Sequence, residues 1–286
     1  MLLLDWALLA PDTLVWLGEG GVLSEATARR LRGGAGLDVF TVLPAGDAWV
    51  VAVVAASAAG ATGLLLGYRT RWSAALAFVG LVSVHHRNPL ILNSGDALLR
   101  ALTFLLIWSP AGDALSLDRW RRRRAGAVEP PGPVLRPPWA QRLVQIQVAV
   151  VYVSTAWWKL HGVTWWDGTA GYYVLRLVEF QRFPLPLERF WIESLAVTRG
   201  LTWASLGLEL ALGVLVWVPR LRYPVLAAGA ALHLGLEYAL NIPVFQWLML
   251  ASLAAFLPPR DVARACGWLA AHATAPGRGA VAAGSR

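Results

Sequence analysis

One lysine stands against twenty-four arginines in this chain of 286 residues, and it is Lys159. Arg cannot lose its proton, whereas an ammonium in a desolvated place can be shifted towards the neutral amine and act as a base. A lysine closing an apolar stretch can also simply snorkel to an interface, so its neighbours must decide between the two readings. Four of the five histidines, His85, His86, His161 and His233, occur in or beside apolar segments, and only His272 lies apart. His233 and Glu237 are four apart and share a helix face, as do Asp96 and Arg100. The first pair could be a carboxylate-oriented histidine suited to proton shuttling, and either pair could equally be a hydrogen bond that stitches helices together. Glu209 could serve as a buried partner for Lys159 or for Arg100. The adjacent His85 and His86 point apart on a helix and no histidine pair is spaced four apart, so no metal site is expected. The single Cys266 excludes an intramolecular disulfide, a Cys-rich zinc site and an iron–sulfur cluster. No phosphate loop, HExxH, GxSxG or GxGxxG occurs, which leaves kinase, protease, hydrolase and nucleotide-cofactor chemistry without support.

The elements that carry these residues are read from composition. Hydrophobic residues make up 57% and charged residues 15% of the chain, too few charges to cover a soluble globule of this size. Eight apolar stretches occur, at 2–17, 49–66, 72–84, 97–108, 143–158, 201–218, 225–240 and 244–257. A bilayer core needs about 20 apolar residues in a helix, so the shorter stretches imply tilted or partly protein-buried helices. The expected fold is therefore all-α: a polytopic integral membrane bundle of about eight transmembrane or membrane-embedded helices. Arg69 and Arg71, then Arg119 and the run Arg121 to Arg124, then Arg220 and Arg222, then Arg260 and Arg264 fall in alternate connections. Arg-rich short loops stay in the cytoplasm, which places both termini inside a multi-pass cell-membrane protein, although Arg29, Arg30 and Arg32 fall in a nominally outer loop. The net charge of +8 is then a topology signal, and nucleic acid is not an expected partner.

This topology gives each polar residue a depth. Lys159, His161, His85, His86, Arg87, Asn88, Asn93, Asp96, Arg100, His233 and Glu237 all fall at the outer side or in the outer half, with Glu209 nearer the middle. Ionisable groups in hydrocarbon cost several kcal/mol unless paired or wetted, so a shared level implies one polar chamber opening outward. Residues 119–140 form an Arg- and Pro-rich cytoplasmic loop, and 261–286 a flexible tail. Residues 165–198 carry short amphipathic segments, 172–182 and 184–197, which read as outer interfacial helices that could lid the chamber. Most of the sixteen tryptophans belong to interfacial belts. Trp165, beside Lys159, could also present an apolar wall to a ring-shaped ligand. No removable signal peptide is read at the N-terminus.

Several of these residues, taken together, are familiar. The run His86-Arg87-Asn88-Pro89-Leu90, Asn93-Ser94-Gly95-Asp96, Leu99-Arg100, Lys159-Leu160 with Trp165, Asp167-Gly168-Thr169, His233, and Phe256-Leu257-Pro258-Pro259 resemble the HTTM (horizontally transferred transmembrane) family. That family is related to the membrane domain of the vitamin K-dependent gamma-carboxylase, and the resemblance covers roughly residues 2–260. By resemblance Lys159 takes the role of the base that deprotonates a vitamin K hydroquinone, and His233 matches a membrane histidine of the family. Another histidine proposed to act in the carboxylase falls near Gly95 or Asp96 and has no counterpart here. The chain ends soon after its last helix, without the large lumenal region that holds the carboxylase's protein substrate, so glutamate carboxylation is not expected. The short first stretch suggests a truncated or mis-set start.

Two functions follow. One is a membrane enzyme in which Lys159 and His233 act on a quinol-like or other lipophilic substrate, a reduced quinone being the implied cofactor. His86, Arg87, Asn93, Asp96, Arg100, His161, Trp165, Asp167, Glu209 and Glu237 would then line the chamber. The other is a non-catalytic membrane partner for maturation or export of a separately encoded soluble or secreted protein. Lys159→Ala separates them.

Overall fold

The computed structural model describes residues 1–31, 38–127, 136–183, 194–242 and 244–273. Among these the secondary structure is helical, apart from one isolated bridge between Gln181 and Leu240. Seven helices make up most of the bundle: α4 (Asp47–Leu66), α5 (Thr70–Arg87), α6 (Ser94–Trp108), α8 (Trp139–Lys159), α11 (Leu195–Val214), α12 (Arg222–Ala239) and α13 (Phe245–Leu253). Shorter pieces flank them: α1 (Leu2–Leu9), α2 (Thr13–Leu17), α3 (Glu25–Leu31), α7 (Leu117–Arg124), α9 (Val163–Trp166), α10 (Ala170–Val174) and α14 (Pro259–Ala273). Two stretches, Asp47–Leu66 and Leu195–Trp217, are long and apolar enough to cross a membrane by length and composition.

The α4–α5 hairpin shows how the sequence builds these contacts. Gly67 ends α4 in the left-handed region, φ 65°, where a side chain would be strained. Ser57, Gly60 and Ala61 then face Ser73, Ala74, Ala77 and Gly80, and all seven are buried. A Cβ on Gly80 would lie 2.3 Å from the Ser57 Cβ, so the backbones meet at a distance only small residues allow. The Ser57 hydroxyl donates to the Ala77 carbonyl at 3.1 Å, satisfying a hydroxyl that would otherwise be buried alone. Elsewhere Gln141 and Gln145 of α8 both donate to the Ala255 carbonyl at 2.7 Å, tying the start of α8 to the 3-10 turn Ala254–Phe256 that follows α13.

Hydrogen bonds tie several of the Arg-bearing connections to neighbouring elements. Asp118 of α7 accepts from the Arg69 and Thr70 backbone N–H groups at 2.8 and 3.0 Å, and Arg71 Nε donates to the Ile107 carbonyl at 3.2 Å. Tyr223 hydrogen-bonds Asp261 across from the start of α12 to α14. The α4–α5 turn thus lies beside the end of α6 and the start of α7, and the start of α12 lies beside the start of α14. Helix α14 takes in residues 259–273, where a flexible tail was expected, and 274–286 lie outside the described residues.

The first apolar stretch departs from expectation. Arg87, at the far end of α5, donates to the Leu23 and Gly18 carbonyls at 2.9 and 3.1 Å, and Asn88 donates to the Trp16 carbonyl at 2.8 Å. Asp5 lies beside His85 and Asp96 at that same end. Both ends of segment 2–17 are thus held where α5 stops, about 25 Å from the Arg69–Arg71 turn at 1.5 Å per helical residue. The segment does not carry the chain from one end to the other. It bends at the 3-10 turn Ala10–Asp12, where Pro11 removes a donor, and packs Trp6 into the core beside α4. Segment 2–17 therefore does not supply the first of the eight expected crossings. The N-terminus and the Arg69–Arg71 turn, expected on one side, lie at opposite ends.

Candidate functional site

Lys159 ends α8 with its Nζ paired to Glu209 of α11. Of the two partners left open by the sequence, Glu209 meets Lys159 and not Arg100. The pair is largely enclosed: the Lys159 side chain is 25% exposed and that of Glu209 11%. The ammonium also lies 4.6 Å from the centroid of the Trp165 ring, over a π-face that favours a cation. Thr155, one turn back on α8, hydrogen-bonds the other Glu209 oxygen at 3.5 Å. Helices α8 and α11 run antiparallel, which sets Thr155 and Lys159 of one against Glu209 of the other. Trp165 is held in turn because Trp203 Nε1 donates to its carbonyl at 3.1 Å.

Deeper in the same bundle is a second polar chain. The His233 Nε2 and the Tyr152 hydroxyl are 2.6 Å apart, and the His233 Nδ1 lies 2.6 Å from Gln246 Oε1. All three residues are buried. An amide oxygen can only accept, so Nδ1 carries a proton and donates to Gln246, and a neutral ring then accepts the Tyr152 hydroxyl at Nε2. Tyr152 and Gln246 are residues that sequence reading missed. Their signal was a tyrosine on the inner face of α8 and a glutamine breaking an otherwise apolar run.

Glu237, expected to orient His233, is engaged elsewhere. It pairs with Arg182 at 2.6 Å and accepts from Trp247 Nε1 at 3.0 Å. Although four apart on α12, His233 turns towards α8 and α13 while Glu237 turns towards the 178–183 segment, so the expected pair does not form. Asp96 and Arg100 also form no ion pair within 4 Å. Asp96 closes a capping box with Asn93, accepting the Asn93 N–H at 2.7 Å, and this is what starts α6.

The remaining expected chamber residues are dispersed. Arg87 is buried and spent on backbone carbonyls, as described above. His161 is exposed, with its Nδ1 2.7 Å from the Trp157 carbonyl and its ring against Trp157 and Trp158. Asp167 is exposed and accepts from the Thr169 N–H at 2.9 Å and from its hydroxyl at 2.5 Å, contacts that hold its carboxyl below the ordinary range. His86 and Arg100 line a cavity of about 960 Å³ between α5 and α6 with Phe78, Val82 and Phe104, and Lys159 is not among its lining residues. The single expected chamber is thus two polar groups. Lys159, Glu209, Tyr152 and His233 lie on α8, α11 and α12. His85 and Asp96 lie on α5 and α6, with Phe245 packed against both His233 and Gly95. Of the expected interfacial segments, 172–182 holds only the end of α10, which packs on α11, and the 3-10 turn Val178–Phe180, while 184–193 lie outside the described residues.

A family model described as HTTM domain matches residues 37–260, well over half of the chain. The chain belongs to the HTTM domain family. No curated protein and no solved structure matches it. Membership makes this an all-helical membrane protein, in keeping with its two long apolar helices. In the HTTM chain the largely enclosed Lys159–Glu209 pair and the buried Tyr152–His233–Gln246 chain are polar groups of a helical membrane protein.

Proposed function

We propose that this HTTM protein is a multi-pass membrane enzyme whose Lys159 acts as a base on a lipophilic, quinol-like substrate. The observation that carries the reading is that the chain's only lysine is enclosed against Glu209 and stacked over Trp165. A helix-end lysine that merely snorkels would extend into water and need no buried carboxylate. Glu209, in direct hydrogen-bond contact with Nζ, is the group that can take a proton from the Lys159 ammonium. With that proton on Glu209, the Lys159 amine has a free lone pair. It accepts the proton of a substrate O–H, the oxygen keeps the bonding electrons, and the new ammonium is stabilised by Trp165 and neighbouring oxygens. Trp165 presents a flat face to a ring-bearing substrate, and His233 fixes the Tyr152 hydroxyl nearby. The Arg-rich connections face the cytoplasm in this reading, so Lys159 opens towards the opposite side.

The test is mass spectrometry of lipids that co-purify with wild type and with Lys159→Ala. A prenylated quinone bound to wild type, and lost or changed in redox state in the variant, supports the base. Identical lipid content together with undiminished cellular function in Lys159→Ala overturns it and favours the non-catalytic partner.

A further inference from the structure

We propose that Asp5, His85 and Asp96 form a binding site for a first-row divalent metal ion of the zinc or manganese class. Three helices converge here, one of them distant in sequence from the other two. Asp5 comes from α1, His85 from the last turn of α5 and Asp96 from the first turn of α6, and one ligand atom of each lies within 4.8 Å of the other two. His85 is 4% exposed, and its Nδ1 is buried with no hydrogen-bond partner among the described residues. An imidazole nitrogen left unpaired in a core costs free energy, and a metal is a ligand that would satisfy it. The Asp5 carboxylate makes no hydrogen bond among the described residues, and Asp96 uses only its Oδ2 for the cap of α6, leaving an oxygen free.

The charge balance points the same way. Two carboxylates and a neutral imidazole set together in an apolar bundle are a site with excess negative charge, which a divalent cation neutralises. Arg100 and the N-terminal amine lie near enough to act on Asp96 and Asp5 and offset part of that charge, but neither makes an ion pair with them within 4 Å. One nitrogen and two carboxylate oxygens are a mixed donor set that suits zinc or manganese better than calcium or magnesium, which prefer oxygen alone. Metal–ligand bonds of about 2.0–2.2 Å require the three atoms to close in by roughly an ångström, within reach of side-chain rotation. Bound metal would join segment 2–17 to the α5–α6 pair at the end opposite the Arg69–Arg71 turn. This inference is independent of the Lys159 chemistry.

The experiment uses the full chain, purified in detergent without a polyhistidine tag and stripped with chelator. Zinc or manganese chloride is added alone, and bound metal and thermal unfolding are measured. The expected result is one ion per chain with a raised melting temperature, and at least a 100-fold weaker binding in Asp5→Asn and in His85→Gln. His161→Gln, at an exposed site, keeps wild-type binding. Asp5 is only partly buried near the start of the chain, so its variant folds even where His85→Gln does not. Absence of stoichiometric binding in wild type, or binding unchanged in Asp5→Asn, overturns the site.

Discussion

Replacing Lys159 with Met tests the buried pair by stability before any activity is known. The substitution keeps the aliphatic stem and removes the ammonium. Glu209, 11% exposed, is then left as a carboxylate without its counterion. Breaking a buried ion pair by removing one partner costs about 3–5 kcal/mol. Because the Lys159 side chain is a quarter exposed, some screening by water remains and the expected cost falls to about 2–3 kcal/mol. Glu209→Gln added to Lys159→Met removes the stranded charge, leaving an amide that Thr155 can still meet. The double variant should recover most of the loss, with a coupling energy of about 1–3 kcal/mol. Detergent-solubilised protein, unfolded in a denaturant series and followed by tryptophan fluorescence, gives the four stabilities of the cycle. A Lys159→Met protein as stable as wild type, or a double variant no better than the single, would refute the enclosed pair.

Other consequences are equally specific. Tyr152→Phe strips the buried His233 Nε2 of its hydroxyl and should cost about 1–3 kcal/mol in the same assay, with His233→Gln no worse when added to it. Gly80→Val drives a side chain into Ser57 across the α4–α5 contact, and a loss of at least about 1–3 kcal/mol is expected in melting experiments. Beside the Arg69–Arg71 turn, partial burial pushes the Asp118 carboxyl up. The N–H groups of Thr70 and Arg69, the Thr70 hydroxyl and the Arg122 guanidinium outweigh it and hold the carboxyl below its ordinary 3.8. A lowered acid stabilises the fold fully above 3.8 and loses that contribution as pH falls through the folded-state value. The stability difference between wild type and Asp118→Asn should therefore be constant near neutral pH and shrink below about pH 4. A difference that grows on acidification would contradict the capping role.

Much of this was legible in residue types and periodicity, and the failures have physical causes. Apolar stretches separated by charged connections gave the helical architecture, because interfacial charge breaks the apolar runs. The singular Lys159 could be picked out without knowing its partner, and Glu209 was one of two acceptable choices. Helical spacing misled at His233 and Glu237, since sharing a face says nothing about which neighbouring helix each side chain turns to. The stretch 2–17 is apolar enough to read as a span. What stops it from crossing is the grip of Arg87 and Asn88 on backbone carbonyls at 16, 18 and 23, contacts more than sixty residues apart. Asp5 joined no expected site for the same reason, because only the folded-back segment brings it to His85.

The uniqueness of Lys159 makes the central claim directly measurable. Growth on 15N-lysine labels a single side-chain nitrogen in the whole protein, giving one resonance. If this amine is an enclosed base opposite Glu209, its signal should move in Glu209→Gln. It should also move when a short-chain quinol is added, and not with the dimethyl ether of that quinol, which offers no proton. A resonance typical of a freely hydrated lysine, indifferent both to Glu209→Gln and to the quinol, would contradict the account.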